Sequence, residues 1–253
     1  MKASGKINYL CHQYLKENIK PGITTKYLDE LAYDFITKHD GIPSFKNYEG
    51  FPGSICTSIN EEVVHGIPSK RVLKEGDIIS IDIGVIYKGY HSDSAWTHPV
   101  GSISKDKALL LENTKESLYQ GLKEIRNGVK LGKVSRAIEN YAHKSKLGVV
   151  QELVGHGVGK NLHEEPDVPN YGDSNIILKT GMTIAVEPML NLGTRKIYLL
   201  EDDWTIITQD GKPSAHFEHT VLVTDNGYEI LTGEWLKKWL KKEISMSKEK
   251  SSK

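Results

Sequence analysis

DIISIDIGVIYKGYHSDSAWT (77–97) is the stretch on which the reading of this chain turns. Its two runs are rich in β-branched and aromatic residues, and Lys88-Gly89 between them is a turn signal, so a β-hairpin is expected. Two carboxylates interrupt it. Asp82 stands inside IISIDIGV, where burying an ionised acid is costly unless a partner or a metal ion compensates. Asp93 lies on the strand that returns beside it. Two acids that meet across a hairpin repel each other, and a cation between them removes the repulsion. Taken alone, the pair also admits a plainer reading, with Asp93 a solvated turn residue and Asp82 accepting a backbone hydrogen bond.

Ahead of the hairpin, Leu28, Leu31, Ala32, Phe35 and Ile36 recur at helical spacing between Thr24 and Asp40. Thr24 or Thr25 can cap that helix and Gly41 can end it. After the hairpin, Ser104 opens a helix expected to run to about Asn127 before Gly128, and a second spans about Lys133 to Lys146. Strand signals then return in MTIAVEPML (182–190), WTIITQD (204–210) and HTVLVTDNGYEIL (219–231). Clusters of strands set apart from clusters of helices predict an α+β layer architecture rather than a parallel doubly wound sheet. No linker or short repeat interrupts the chain before the tail, so residues 1–234 read as a single domain.

The 253 residues carry 33 Lys+Arg against 33 Asp+Glu. Zero net charge argues against DNA as a partner of the whole molecule. Cys11 and Cys56 allow at most one bridge, which excludes a disulfide scaffold and favours a reducing, cytoplasmic setting. Lys2, Lys6 and Lys16 have no apolar run between them, so a signal peptide is not expected. Asp82 breaks the most apolar stretch, and membrane insertion is not expected either.

The second half repeats the oddity of the first. Glu187 in MTIAVEPML and Glu218 in AHFEHTVLV are again acids inside strand-like apolar sequence. GHGVGKNLHEEP (155–166) holds His156 between glycines that permit close backbone approach. A lone buried histidine is commonly a satisfied core residue. Four acids and one histidine in such settings are not five accidents. One imidazole among four carboxylates is too oxygen-rich for structural zinc and suits two divalent ions of the Mn, Fe or Co type. Such a pair lowers the pKa of a water held between them and clamps both ends of a hydrolysed bond. Other motifs fail: HEEP is not H-E-x-x-H, GHGVG lacks dinucleotide-fold spacing, and neither a P-loop nor G-x-S-x-G occurs.

FPGSICTSINEEVVHGIP (51–68), SIDIGVIYKGYHSDSAWT (80–97), GHGVGKNLHEEP (155–166), TIAVEPM (183–189) and SAHFEHTVLVT (214–224) resemble, in order, the motifs of the type I methionine aminopeptidases. These are members of the pita-bread metallohydrolases, and the resemblance covers roughly residues 1–232. It implies a pseudo-twofold antiparallel β-sheet covered by helices on one face, with a dinuclear metal site at the seam. It implies as metal ligands Asp82, Asp93, His156, Glu187 and Glu218. Asp93 and Glu218 would bridge the ions, Asp82 would serve one ion, and His156 and Glu187 the other. The two divalent ions would be drawn from Co, Mn, Fe, Zn or Ni.

The same resemblance places His65 near the substrate's N-terminal end and His163 on the scissile amide, where a donor stabilises developing negative charge. It makes Glu187 the proton shuttle. Phe45, Tyr48, Phe51, Cys56, Leu162 and Trp204 would surround the methionine side chain, a setting suited to a flexible thioether. Leu162 stands where Phe is common and Phe51 where Tyr is frequent, which alters the shape of the slot and not its polarity. Cys56 reads either as a site of covalent modification or as a buried, inert thiol. Asn60 and Ser214 match positions that hold a monovalent cation in relatives.

The short stretch between Glu187 and Glu218 leaves no room for the helical insertion of type II members. The short segment before the first strong helix leaves none for the extra domain of Xaa-Pro aminopeptidases. The implied activity is hydrolytic removal of the initiator methionine from nascent polypeptide N-termini, with a small second residue preferred, by a monomer. The competing reading is a catalytically inactive pita-bread protein that contacts RNA or protein.

EWLKKWLKKEI (234–244) sets Trp235, Leu236, Trp239, Leu240 and Ile244 on one helical face with four lysines opposite. Residues 235–253 therefore read as a basic amphipathic helix and a disordered tail. The helix either packs its tryptophans on the catalytic domain or attaches to an anionic surface such as the ribosome. Residues 237–253 hold seven lysines and two glutamates, so the zero net charge is a cancellation between an acidic body and a basic tail.

Overall fold

In the computed structural model the hairpin forms between strands Ile78–Tyr87 and Tyr90–Pro99, paired antiparallel along their whole length. Lys88 and Gly89 both take positive φ, 51° and 79°, as the tight two-residue turn of a twisted hairpin requires. Residues 1–233 are described, and the predicted amphipathic helix and tail at 235–253 lie outside them.

Strands Ile42–Pro43 and Cys56–Ile59 flank Ile78–Tyr87 on its other edge. Helices α1 (Lys2–Asn18) and α2 (Thr25–Lys38) pack with this sheet around Leu15, Leu28, Ile36, Ile79, Ile81 and Ile83. α2 follows the sequence reading, and the Thr24 hydroxyl caps it by accepting the Tyr27 N–H at 3.1 Å. α1 was not anticipated. Its sheet-facing residues include Ser4, Asn8 and His12, so no apolar stripe announces it. Ser4 Oγ donates to Val85 O, Asn8 Nδ2 to Ile83 O, and His12 Nε2 lies 2.9 Å from Ser94 O.

The second half repeats the plan. Helices α3 (Lys105–Leu122) and α4 (Gly132–Lys144) cover a five-stranded sheet ordered Gly227–Ile230, His219–Thr224, Thr183–Val186, Gly155–Gly157 and Glu164–Val168. Leu118, Leu122, Val134 and Ile138 meet Ile184, Val186, Val221 and Val223 in its core. α3 ends five residues earlier than the sequence suggested, at Leu122 rather than Asn127. Ile125 turns into the core, and Gly128, at φ 79°, donates its N–H to Leu178 O instead of closing the helix.

Among the described residues every strand pair is antiparallel, in an α+β arrangement of two similar halves. The halves join where Tyr90–Pro99 runs beside residues 214–220. There Glu218 N donates to Ala95 O at 2.8 Å, Asp93 N to Thr220 Oγ1 at 2.9 Å and His216 N to Thr97 Oγ1 at 2.9 Å. These bonds set acids of both halves against one another.

Candidate metal centre and substrate cavity

Asp82 pairs in register with Ala95 and Asp93 with Gly84, so the two acids share a face as diagonal neighbours rather than directly opposed residues. Their carboxyls are close enough for each to bear on the other's protonation. Glu187 follows the strand Thr183–Val186, and Glu218 sits between Ser214–His216 and His219–Thr224. His156 enters from Gly155–Gly157, where a Cβ on either glycine would collide with Ala185 O or Glu165 O. All five residues implied as ligands line one cavity of about 590 Å³.

Electrostatics show what the protein alone cannot supply. Burial pushes the Asp82 carboxyl up to about 7. It also raises Asp93 and Glu218 well above the usual carboxylate range, with nearby acids adding to the effect. Burial acts the same way on Glu187, but the adjacent His216, His156 and His65 outweigh it and hold this carboxyl below its usual range. Asp82 Oδ1, Asp93 Oδ1 and Glu218 Oε1 are buried without a hydrogen-bond partner among the described residues. Buried acceptors with no donor are what bound cations would satisfy, and carboxylates with imidazole suit a divalent ion.

Two sets of ligand atoms lie within 4.8 Å of one another: Asp93, His156 and Glu218, and Glu187, His216 and Glu218. Glu218 belongs to both, as a bridging carboxylate would. His156 Nε2 is 3.8 Å from Asp93 Oδ2 and 3.7 Å from Glu187 Oε1, so it stands between the two sets. Asp82 lines the same cavity outside both.

His216 is the residue that sequence reasoning passed over. Its Nε2 lies 3.4 Å from Glu187 Oε2. The signal was present in SAHFEHT: in extended chain His216 and Glu218 point the same way, so a histidine two residues before a ligand shares its face.

At the other end of the cavity, Phe45, Phe51, Cys56 and Leu162 are buried together against Tyr48, Ile67 and Trp204. The six expected slot residues therefore meet, with Ile67 an addition. Phe51 and Trp204 pack edge to face at 5.0 Å. Burial, then the charge of Asp82, raises the Cys56 thiol well above its usual pKa, which favours the inert-thiol reading.

His65 and His163 border the slot and the acids. His65 holds a left-handed backbone, φ 60°, beside Trp204 at 6.4 Å between ring centres. Burial, then His156, lowers the His163 pKa to about 4, so its imidazole is neutral near pH 7. The Tyr48 hydroxyl lies 2.8 Å from His163 Nδ1. Asn60 and Ser214 also come together, with Ser214 N donating to Asn60 O at 2.8 Å. The Asn60 side chain is engaged elsewhere: Oδ1 accepts from Lys107 Nζ at 2.8 Å and Nδ2 donates to Asp77 Oδ1.

Comparison with known proteins follows the same residues. Residues 1–225 match metallopeptidase family M24. The chain is 56% identical to methionine aminopeptidase 1 of Bacillus subtilis over 92% of its own length and 94% of the relative's. It is 51% identical to a methionine aminopeptidase of Clostridium acetobutylicum with the same coverage. The crystal structure of methionine aminopeptidase from Rickettsia prowazekii superposes with a TM-score of 0.91 at 42% identity, over 92% of this chain and 95% of that one. That similarity identifies the two-halved architecture as the pita-bread fold. With the matched region spanning both halves, their seam and every cavity residue named above, the chain belongs to metallopeptidase family M24.

Proposed function

We infer that the chain is a metal-dependent aminopeptidase that hydrolytically removes the N-terminal methionine from proteins. The observation that carries this is the joining, in one cavity, of buried acids and His156 to an apolar slot. High identity to methionine aminopeptidases over almost their full length supports it. Nothing favours the inactive RNA- or protein-binding alternative, since each acid and His156 is in place.

Asp82, Asp93, His156, Glu187 and Glu218 would hold two divalent ions drawn from Co, Mn, Fe, Zn or Ni, with Asp93 and Glu218 shared between them. Bound ions of this kind supply Lewis acidity and lower the pKa of water. The chain's own groups do the rest. Glu187, kept ionisable by the surrounding histidines, takes a proton from the attacking water and passes it to the leaving amine. His163, neutral, donates from Nε2 to the carbonyl oxygen as negative charge develops. That role needs Nδ1 free of a proton, and in that tautomer Nδ1 can accept from the Tyr48 hydroxyl 2.8 Å away. His65 orients the substrate's N-terminal end. Phe45, Tyr48, Phe51, Cys56, Leu162 and Trp204 enclose the methionine thioether, and the free α-amine meets the acids.

Residues 1–234 act as one catalytic domain on nascent polypeptide N-termini, with a small second residue preferred. The protein works as a monomer in the cytoplasm, and the lysines of 235–253 supply a basic segment that would suit an anionic surface such as the ribosome if the segment is not packed on the catalytic domain. A monovalent cation at Asn60 and Ser214 would have to use main-chain oxygens, because Lys107 already engages the Asn60 side chain.

Three peptides test the specificity. Met-Ala-Ser should be cleaved, Met-Trp-Ser far more slowly, and N-acetyl-Met-Ala-Ser not at all. Equal cleavage of the blocked peptide would contradict recognition of the free amine.

A further inference from the structure

Four side chains that line the substrate cavity bury a polar atom with no hydrogen-bond partner among the described residues: Asp82 Oδ1, Asp93 Oδ1, Glu218 Oε1 and His216 Nε2. Such orphans are rare in folded proteins, and each calls for a partner that the chain itself does not supply. Three of the four belong to the ligand set that the family resemblance implies. His216 does not.

The fold holds this histidine firmly. It ends the strand Ser214–His216 and pairs in register with Met189, two residues after Glu187. Its N–H donates to Thr97 Oγ1 and its carbonyl accepts from the same hydroxyl, both at 2.9 Å. Phe217 packs against the core of the second half, while His216 and Glu218 face the cavity. His216 is only 2% exposed, so water does not satisfy its ring. Nε2 lies 3.4 Å from Glu187 Oε2, and with Glu187 and Glu218 it makes a set of ligand atoms within 4.8 Å of one another. Two atoms that each bind one ion at about 2.1 Å lie at most about 4.2 Å apart, so a shared ion fits the spacing of His216 and Glu187. A hydrogen bond to Glu187 would also satisfy Nε2, but the present geometry does not make one.

We propose that His216 is a sixth metal ligand, with Nε2 on the ion that takes Glu187 and Glu218; this rests on the reading of the cavity as a divalent metal site and not on peptide cleavage itself. The donor set then holds two imidazoles among four carboxylates. Imidazole favours the later metals, Co, Ni and Zn, where carboxylate suits Mn. His216 therefore biases the site toward the later metals.

The full-length protein loaded with Co gives a test that needs no turnover. Its proton NMR spectrum should show contact-shifted ring signals from two coordinated histidines, His156 and His216, and His216→Gln should lose one set and keep the other. Glutamine keeps an N–H donor at that place and is a poor metal ligand, so calorimetry on this variant separates coordination from hydrogen bonding. His216→Gln should weaken Co binding at one site by about tenfold or more and Mn binding by about threefold at most. Ring signals from His156 alone in the wild type would overturn the proposal, whether or not the variant folds. Co affinity that is unchanged in His216→Gln would also overturn it, and would make the side chain a hydrogen-bond donor to Glu187 instead. If the wild type binds no Co at all, the metal reading of the whole cavity falls with it.

Discussion

At one end of the substrate cavity, Asp82, Asp93 and Glu218 keep buried oxygens that no donor among the described residues reaches. At the other, Phe45, Phe51, Cys56 and Leu162 close against Tyr48 and Trp204 like any piece of core, with room left between them. The acid end is incomplete as protein and becomes satisfied only with cations. The slot is complete as protein and, in the proposed function, would select by shape. Chemistry is therefore concentrated in groups that are costly to bury, and specificity in groups that are favourable to bury. Substitutions at the two ends should fail in different ways.

The largest effect is expected at the shared acid. Glu218→Ala should lower kcat by roughly 10³-fold or more and weaken binding of at least one ion, with the far-UV circular dichroism unchanged. Near-normal turnover would break the bridging assignment. Next comes the donor between the two ends. His163→Ala should cost about 10²–10³ in kcat, the usual loss for an oxyanion donor, with bound metal unchanged. A loss of metal instead would move His163 into the acid end. At the slot, Trp204→Ala should raise KM for Met-Ala-Ser by about tenfold and leave kcat within a few-fold. A collapse of kcat there would erase the distinction between the ends.

The smallest effect is one of pH and separates the acids from buried groups elsewhere. Burial raises Asp82 from 3.8 to about 7, so the metal-free folded chain holds a proton that the unfolded chain releases. Stability from that source is present below about pH 4 and is lost as pH rises toward 7. His12 behaves in the opposite sense. Burial lowers it from 6.5 to about 4, the unfolded chain takes up the proton first, and stability is lost as pH falls through that window. In chelated protein the two slopes oppose each other. Divalent metal removes the first, so the gain in Tm on adding metal should grow between pH 4.5 and 7. A gain that is constant with pH would show that the acids are not its source.

The ease of reading the sequence followed the same division. Asp82, Asp93, Glu187 and Glu218 stand out because acids do not belong in IISIDIGV or TIAVEPM, and β-branched residues around Lys88-Gly89 mark the hairpin that carries two of them. Phe45, Phe51 and Leu162 carry no such contradiction, and only the family resemblance singles them out. α1 escaped notice because Ser4, Asn8 and His12 bury a polar face whose partners, the carbonyls of Val85, Ile83 and Ser94, belong to a distant hairpin. The early end of α3 depends on Ile125 finding the core, a tertiary effect that periodicity does not encode. His216 was legible from its register with Glu218, yet a single histidine inside a strand reads first as core.

If the buried acids hold divalent ions, cleavage depends on those ions. The direct measurement is to chelate the full-length protein, return Mn, Fe or Co separately in measured equivalents, and record bound metal and Met-Ala-Ser cleavage at each addition. Cleavage should be absent without metal, recover as the ions bind, and fail to recover in Glu218→Ala. Full cleavage by the metal-free protein, or none with any of the three metals, would contradict that dependence.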